Sequence, residues 1–414
     1  MGRARQIASA ENMDRILLDA SAASTDEGEH LLLDGSAANT DVGFFINTEI
    51  GTTEVPVNDG VSTQHIVTDA ITNAKIVDDA ITPDKLDVVS QSMSNRNVII
   101  NGAMNVAQRL HSGATSATGI GSAGGQVYTL DRFGIFDGNT AGRITVAQQA
   151  ITDLPGFQNA LKVSCTTADT SVAAGEILSL NQRIEGQNLQ RFKKGTSEAR
   201  SFVLSFFCKA NAPATYVAEL FDVDNSRHVG RTFQVGKTFS RVEINFGTDI
   251  TGAFDDDNAR SLDVGIFLHA GTTFTAAGTL QTTWGSEDTD ARAVGADSIV
   301  SSTDNTFFIT GVQLEAGDTS GTSNPTEFEH EPFEATLKKC QRYCKVYEDD
   351  DTEEPVSHGY WRSTTAVETI TTLPTTLRSQ PSITFVNPTS ITCLEPGVTF
   401  RASDSSPSVN ERGT

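Results

Sequence analysis

Two patterns in this sequence have residue types and spacings that could support catalysis. The acids Glu327, Glu329, Glu331 and Glu334 crowd together, and paired carboxylates at a suitable separation can hydrolyse glycosidic bonds. Gly119–Gly124 satisfies the GxGxxG pattern of dinucleotide-binding loops. However, alternating acids before a helix are typical of a solvated edge, and the glycine motif lacks the strand before it and the helix after it that cofactor binding requires. We therefore expect no enzyme activity.

Aromatic side chains offer a different chemistry, because the C–H faces of sugars pack on aromatic rings. The candidates for carbohydrate binding are Trp284, Tyr360 and Trp361. Trp284 lies in a Thr/Gly/Ser/Asp-rich loop, which predicts an exposed platform, and a buried ring is the alternative for each position. Binding an anionic glycan would require local basic residues such as Arg362 and Arg378, or a bridging calcium ion. The sequence predicts no other cofactor and no resident metal site.

Composition limits the other partners. The 414-residue chain has 53 acidic and 30 basic residues and a net charge of −23. This charge excludes nucleic acid and anionic membranes as expected partners, because phosphate binding needs clustered Lys and Arg. No apolar run is long enough to span a membrane. The N-terminus lacks the apolar core of a secretory signal, and the five scattered cysteines are typical of reduced thiols. We expect synthesis and assembly in a cytoplasm.

The elements that would position these residues include a stem over residues 65–94. A ten-residue unit repeats in tandem there, and its aliphatic side chains fall at every fifth position: Ile66, Ile71, Ile76, Ile81 and Leu86. This period matches neither a helix nor a strand. One thin apolar row cannot form a core within its own chain, whereas several copies packed around a common axis could bury it. The pattern predicts an oligomerisation stem, and an irregular polar linker is the alternative.

Residues 1–64 contain a second tandem repeat. Ile16–Gly28 and Leu31–Gly43 are identical at nine of thirteen aligned positions. Each copy is a short aliphatic run followed by turn residues, which predicts a brief strand and a tight turn. Two copies are too few for a solenoid, so we expect an anchor that attaches to another protein. A disordered acidic leader is the alternative.

From residue 95 to 332 the sequence predicts a β-sandwich, of the jelly-roll kind. Short runs rich in Val, Ile, Phe and Thr are separated by Gly, Asn and Asp, without helical segments between them. The run Ser201–Lys209 is apolar on both faces, which favours a strand in the middle of a sheet. Residues 333–414 begin with a helix after Pro332, whose apolar positions recur from Phe333 to Tyr347, and continue as a further β region. The predicted fold class is therefore mainly β.

Five short motifs occur in order along the chain, in the segments Asn101–Arg109, Asp131–Phe133, Gln313–Gly317, Thr326–His330 and Cys340–Tyr343. They resemble the "NGxxxxxQR … DRW … QLExG … TxFExR … CxRY" pattern of the bacteriophage tail fibre family, also described as receptor-binding virion structural proteins. The stem likewise resembles the "DAITxxKIxDxAITxxKL" collars of those proteins. Phe133 replaces the usual Trp of this pattern. The resemblance implies a homotrimer whose sandwich is similar to a carbohydrate-binding module.

Physical roles can be assigned to some of the matched residues. We expect Asp131 to pair with Arg132 at the edge of the sandwich. Alternation predicts that Leu314 points into the core, with Gln313 and Glu315 on the opposite face. Those two side chains could carry sugar or calcium ligands, although structural pairing with a neighbouring strand or protomer is favoured.

These observations together predict a homotrimeric phage virion fibre. It would attach to another virion protein through residues 1–64 and bind a host-surface receptor, expected to be carbohydrate, through its β-rich C-terminal part. A tailspike-like polysaccharide depolymerase and a decoration fibre without receptor binding are the alternatives. The predicted location is the virion, on the tail or the surface, after assembly in the host cytoplasm.

Overall fold

The structure is a computed structural model, and it divides the chain into two units, Met1–Thr82 and Pro83–Thr414. It describes residues 17–18, 30–31, 95–110, 116–121, 124–138, 140–347, 358–363, 366–370, 372–382, 392–395 and 398–401. In the first unit, β1 (Leu17–Leu18) pairs in parallel with β2 (His30–Leu31). The stem row Ile66, Ile71, Ile76, Ile81 and Leu86 lies outside the described residues, as does most of the predicted anchor.

In the second unit the strands run in chain order from β3 to β19. The first eight of them are β3 (Ser116–Ile120), β4 (Gly125–Tyr128), β5 (Gly134–Asp137), β6 (Arg143–Ala150), β7 (Asn159–Thr167), β8 (Ile177–Glu185), β9 (Phe202–Ala210) and β10 (Ala214–Asp222). The others are β11 (Arg227–Val235), β12 (Ser240–Asn245), β13 (Arg260–Ala270), β14 (Gly285–Ser286), β15 (Thr306–Ala316), β16 (His358–Ser363), β17 (Ala366–Ile370), β18 (Thr392–Glu395) and β19 (Val398–Arg401). The helix α1 spans Phe333–Gln341.

Two antiparallel sheets form the sandwich. The seven-stranded sheet has the order β14-β11-β10-β13-β8-β5-β4, and the six-stranded sheet has the order β12-β9-β15-β7-β6-β3. The hairpins β16–β17 and β18–β19 follow the helix. The predicted mainly β fold, with a sandwich, one helix and a further β segment, is confirmed.

Aromatic side chains join the two sheets across the core. Tyr216 of β10 meets Phe307 of β15 at 5.4 Å between ring centroids. Phe206 of β9 meets Phe233 of β11 at 5.0 Å, edge to face. Such edge-on pairs add to the free energy of burying the rings. They fix the two sheets face to face over a single apolar core.

Strand β9 confirms the expectation from its sequence, because it pairs with β12 on one side and β15 on the other. Its apolar residues on the second face are also covered. Phe207 packs against Phe157, with 5.4 Å between the ring centroids, and Phe328 from the segment before the helix packs on the same ring at 5.1 Å. A strand that is apolar on both faces is therefore buried on both faces.

The helix begins after Pro332, as expected, but it ends at Gln341 rather than near Tyr347. Cys340 is buried, whereas Phe333 is 51% exposed, so only part of the predicted apolar face of the helix is buried. The chain leaves the helix at Arg342 because Arg342 and Tyr343 turn toward Glu185 on β8 and bond to its carboxylate.

Strand β15 corrects one expectation and confirms another. Gln313 and Glu315 are not exposed on the face away from Leu314, because the segment 324–330 covers that face and leaves them 0% and 5% exposed. Glu315 accepts bonds from the backbone N–H and the hydroxyl of Thr326, both at 2.7 Å. Gln313 accepts a bond from the Glu329 N–H at 2.8 Å. The favoured alternative, structural pairing, is therefore what these residues do.

The expected pair between Asp131 and Arg132 does not form. Asp131 accepts bonds from the backbone N–H and the side-chain amide of Gln108, at 2.5 and 2.7 Å. Arg132 instead lies over the ring of Tyr343 and donates to the carbonyl of Arg183. The side chains of Asp131 and Arg132 point in different directions because the backbone of Arg132 is in the left-handed region, with φ of 71°.

Candidate functional site

The candidate site lies on the outer face of the seven-stranded sheet, away from the core. Strand register places the outward side chains of β4, β5 and β8 side by side: Gln126 opposes Phe136, and Phe136 opposes Ser179. Asn181 and Arg183 continue the same face of β8, because alternate residues of a strand point the same way. We call Gln126, Phe136, Ser179, Asn181 and Arg183 the outer patch.

Polar atoms of the outer patch lack partners among the described residues. They are both amide atoms of Gln126, Oδ1 of Asn181 and Nε of Arg183. The Asn181 amide nitrogen makes only a long contact, 3.5 Å, with the carbonyl of Ser179. An unsatisfied polar group costs on the order of 1–3 kcal/mol, so a cluster of them on one face of a sheet is unusual.

Gly134 leaves room for the side-chain amide of Gln126. Gly134 opposes Asn181 in the register of β5 and β8, and a Cβ atom there would lie 2.1 Å from Gln126 Nε2. The amide of Gln126 therefore lies against bare backbone beside Asn181. Turning it outward to a ligand would break no hydrogen bond with the described protein atoms.

Phe136 supplies the apolar part of the outer patch. Its side chain is 38% exposed, one of the few large apolar side chains with such exposure among the described residues. Next to amide and guanidinium groups, an exposed ring can pack on the C–H face of a sugar while the polar groups bond to its hydroxyls. This mixture of a ring and converging polar groups is typical of small-molecule sites.

One border of the outer patch is a long loop, residues 271–301. An apolar cluster of Ile177, Val217, Phe267 and Ala293 holds the loop on the sheet. Arg292 from the loop bonds to Glu219 of β10 with 2.6 and 2.8 Å contacts. Burial alone would raise the pKa of Glu219, but Arg292 and His228 hold it below its usual value. The loop is therefore firmly attached by both apolar and charged contacts.

The other border is the chain that leaves the helix. Arg342 makes a two-point contact with Glu185, at 2.8 and 3.0 Å, and Tyr343 donates its hydroxyl to the same carboxylate. Burial opposes ionisation of Glu185, but Arg342, Tyr343 and Gln187 lower its pKa. Between these two borders Phe136 is the exposed part of the outer patch, whereas Ser179 and Asn181 beside it are each only 7% exposed.

The structure corrects the prediction of an exposed platform at Trp284. The indole is half-buried against the core and packs on Phe202 with 5.3 Å between ring centroids. The ammonium group of the buried Lys194 lies 5.5 Å from the same ring. A ring with these neighbours closes the end of the sandwich and offers little free surface to a ligand.

The other predicted aromatic residues lie on the β16–β17 hairpin. Tyr360 is 58% exposed and Trp361 follows it on β16. Arg362 lies on the same strand, whereas Arg378 bonds to the carbonyl of Asn258 at 3.2 Å. The structure therefore places Tyr360, Trp361 and Arg362 consecutively on one strand, whereas Trp284 lies in the loop before β14.

A separate cleft of about 420 Å³ lies beside the 3-10 turn Gln190–Phe192. Its charged groups are already paired: Lys193 contacts Glu198 at 2.5 Å, and Lys194 contacts Asp222 at 2.6 Å and Asp249 at 3.0 Å. Because these pairs leave few unsatisfied groups, the cleft is a weaker candidate than the outer patch.

Sequence reasoning missed the whole outer patch. Strand β8 was the main obstacle, because Gln182 interrupts its alternation of apolar and polar residues. Gln182 points into the core, where its amide bonds to both the N–H and the carbonyl of Ile100. The available signal was the series Ser179, Asn181 and Arg183 between Leu178, Leu180 and Ile184, which marks one polar face.

Comparison with known proteins gives only distant likenesses. No protein-family model matches the sequence, and no curated protein matches it. Among solved structures, a family 11 carbohydrate-binding module from a Clostridium thermocellum cellulase has 14% identity over 47% of this chain and 97% of its own, with a TM-score of 0.25. A xylan-binding domain from Paenibacillus barcinonensis has 10% identity over 49% of this chain and 93% of its own, with a TM-score of 0.23.

The enzymatically active domain of bacteriophage CBA120 tailspike protein 4 has 13% identity over 53% of this chain, with a TM-score of 0.26. The match spans only 21% of the length of that tailspike chain. Likenesses this distant carry no argument about ligands.

No helix among the described residues is long and apolar enough to cross a membrane.

Proposed function

We propose that this chain is a bacteriophage virion fibre protein whose β-sandwich binds a host-surface carbohydrate at the outer patch. One observation carries the proposal: unpartnered polar atoms of Gln126 on β4 and of Asn181 and Arg183 on β8 lie on either side of β5, which carries the exposed ring of Phe136. The order of the five sequence motifs supports the virion fibre role.

The chemistry of the outer patch favours a sugar over other ligands. Two carboxamides offer donors and acceptors together, which matches hydroxyl groups that also donate and accept. Arg183 adds hydrogen-bond donors and a positive charge. The outer patch could therefore bind an acidic sugar, although the protein as a whole is negatively charged. Phe136 supplies the apolar contact that a flat C–H face requires.

The remaining parts of the chain have roles consistent with a fibre. In this proposal the stem row Ile66, Ile71, Ile76, Ile81 and Leu86 faces its copies in a homotrimer. Residues 1–64 bind another virion protein, which places the chain on the virion after assembly in the host cytoplasm. Deletion of residues 1–64 should leave a folded sandwich that no longer enters particles in a complementation assay. Incorporation of the truncated chain would place the anchor elsewhere.

The proposed role is binding without catalysis. Two of the clustered carboxylates make structural contacts: Glu329 accepts a bond from the Asn97 N–H at 2.9 Å, and Glu331 pairs with Lys339. The depolymerase alternative is tested directly by incubating the purified chain with host polysaccharide and measuring new reducing ends. Their time-dependent release would overturn the non-enzymatic role.

Binding of the labelled full-length protein to host cells tests the outer patch. Asn181→Ala and Phe136→Ala should each weaken binding about 10-fold, since losing one hydrogen bond or ring contact costs on the order of 1–1.5 kcal/mol. Matched controls are Gln149→Ala, which changes an exposed amide on β6, and Phe333→Ala, which changes a ring that is 51% exposed on the helix. If all four variants fold and bind like the parent, the outer patch is not the site.

A further inference from the structure

Three buried side chains with metal-binding atoms meet at one end of the sandwich. They are Asp169, Glu176 and His269, and the ligand atoms they offer all lie within 4.8 Å of one another. Their exposed fractions are 6%, 6% and 0%. Asp169 follows β7 of one sheet, whereas Glu176 precedes β8 and His269 lies near the end of β13 of the other sheet. We call these residues the buried triad.

The backbone holds the buried triad in place independently of its side chains. The N–H of Asp169 donates to the carbonyl of Val300 at 2.7 Å, and the N–H of Gly271 donates to the carbonyl of Glu176 at 2.8 Å. His269 lies between β8 and β10 in the seven-stranded sheet. The three side chains therefore converge because of the fold itself.

The imidazole of His269 is oriented as it is in many metal sites. Its Nδ1 lies 2.8 Å from the hydroxyl of Ser298, and its Nε2 lies 3.1 Å from Glu176 Oε2. A metal-binding histidine usually bonds to an outer-shell group through the nitrogen that does not bind the metal. Ser298 is such a group, and it leaves Nε2 directed at the two carboxylates.

The charge of the buried triad is unbalanced. Two carboxylates and one imidazole sum to −1 with a protonated histidine and to −2 with a neutral one. Among the described residues, no Lys or Arg forms a salt bridge with Asp169 or Glu176. The one ion pair that involves either carboxylate there is the pair between Glu176 and His269. Burying a net negative charge is costly, and a divalent cation would balance it.

One carboxylate oxygen of Asp169 has no hydrogen-bond partner among the described residues. Its Oδ1 accepts a bond from the N–H of Ser171 at 2.8 Å, whereas its Oδ2 is buried and has no hydrogen-bond partner among the described residues. A second buried cluster in the same sheet shows the contrast. There His228 lies 3.1 Å from Glu219, and Arg292 balances the carboxylate at 2.6 Å.

We propose that Asp169, Glu176 and His269 bind a divalent cation, with Zn²⁺ as the preferred ion. Zn²⁺ accepts one imidazole nitrogen and carboxylate oxygens at about 2.0–2.2 Å, whereas Ca²⁺ takes oxygen ligands only. Two ligand atoms 3.1 Å apart can both reach such an ion, because the angle at the metal would be about 95° for bonds near 2.1 Å. Three protein ligands leave a further position for water.

The cation would join the two sheets at this end of the sandwich. It would also fix the base of the loop 271–301, since Ser298 holds His269. The expected role is structural, and it is independent of whether the outer patch binds sugar.

Metal content and thermal unfolding of the full-length protein test the proposal. After chelation and dialysis, the protein should take up about one Zn²⁺ per chain, and Zn²⁺ should raise its unfolding temperature. Co²⁺ in place of Zn²⁺ should give visible absorption from the metal site. Failure of the chelated parent to bind stoichiometric Zn²⁺ or Co²⁺ would overturn the proposal.

Asp169→Asn gives the sharpest variant because it removes charge with little change of shape. This variant should keep the parent's fold, since the Asn oxygen can still accept the bond from the N–H of Ser171. Zn²⁺ should then raise its unfolding temperature less than that of the parent, and Zn²⁺ affinity should fall by more than the roughly 10–100-fold expected for loss of an outer-shell partner. A variant that keeps the parent's Zn²⁺ affinity would contradict the assignment.

His269→Gln and His228→Gln form a matched pair of buried histidine variants. Only His269→Gln should lose Zn²⁺ uptake and the Co²⁺ absorption. If His228→Gln loses them equally, the effect is general destabilisation and the proposal fails. Should His269→Gln not fold, Asp169→Asn decides the question.

Discussion

The guanidinium carbon of Arg132 lies 3.4 Å from the centroid of the Tyr343 ring. Two of the motifs that suggested a tail fibre protein, far apart in the chain, are therefore in direct contact. Other motif residues behave similarly, since Gln108 bonds to Asp131 and Gln313 bonds to Glu329. In this chain the motifs hold the helix and the segment before it on the sandwich, and Arg132 also donates a hydrogen bond to the carbonyl of Arg183 in the outer patch.

The contact between Arg132 and Tyr343 should make a measurable contribution to stability. Arg132→Leu and Tyr343→Leu should each lower the free energy of unfolding by about 2 kcal/mol, because a desolvated cation–π contact is worth about that much. A double-mutant cycle should give a coupling above about 1 kcal/mol. The control is Lys345 and Tyr347, a pair at 4.9 Å with a ring that is 43% exposed, where the coupling should stay below about 1 kcal/mol. Equal coupling in both pairs would contradict this role.

The sequence was sufficient to predict the sandwich because strand signals are local. Ser201–Lys209 is apolar on both faces, and the observed strand β9 is buried on both. Pro332 likewise marked the start of the helix. The end of the helix was predicted wrongly because Arg342 and Tyr343 bond to Glu185, which lies far away in sequence.

The candidate site could not be predicted because it, too, depends on contacts between residues far apart in sequence. Gln126, Phe136 and Asn181 become neighbours only through the pairing of β4, β5 and β8. Trp284 was placed on the surface because of the composition of its loop, yet Phe202 from β9 packs against it. Loop composition carries no information about which distant side chain will cover a ring.

Glu185 should make stability depend on pH. Although burial opposes ionisation, the pKa of Glu185 in the folded protein lies below its ordinary value of 4.5, because Arg342, Tyr343 and Gln187 bond to the carboxylate. A depressed folded pKa gives stability that is present above the unfolded pKa and lost as pH falls through the folded pKa. Glu185→Gln should therefore be less stable than the parent at pH 7, and the difference should shrink below about pH 4.5.

Urea unfolding of the parent and Glu185→Gln at pH 7 and at about pH 3.5 measures this difference. Glu198→Gln is the control, since Glu198 pairs with Lys193 in an exposed position and should change stability little at either pH. A difference between parent and Glu185→Gln that stays constant over this range would show that ionisation of Glu185 does not contribute.

Trp284 should behave as a packing residue. Trp284→Ala should lower the free energy of unfolding by about 2–4 kcal/mol, because it removes a half-buried ring from Phe202 and Lys194. Tyr360→Ala, at a position that is 58% exposed, should change stability by less than about 0.5 kcal/mol. Thermal unfolding gives the first comparison, and host-cell binding per folded molecule gives the second. Selective loss of binding in a stable Trp284→Ala protein would restore the sequence prediction for that ring.

The stem row should control the oligomeric state. If Ile66, Ile71, Ile76, Ile81 and Leu86 face their copies around a common axis, sedimentation equilibrium of the full-length chain should give three copies. Ile76→Asp should shift the protein toward monomer, because each chain would bring a carboxylate without a partner into a narrow apolar contact. Val77→Asp is the matched control, since it adds the same charge one position outside the row. A parent that is monomeric at micromolar concentration, or a Val77→Asp variant that dissociates as readily as Ile76→Asp, would contradict the predicted packing.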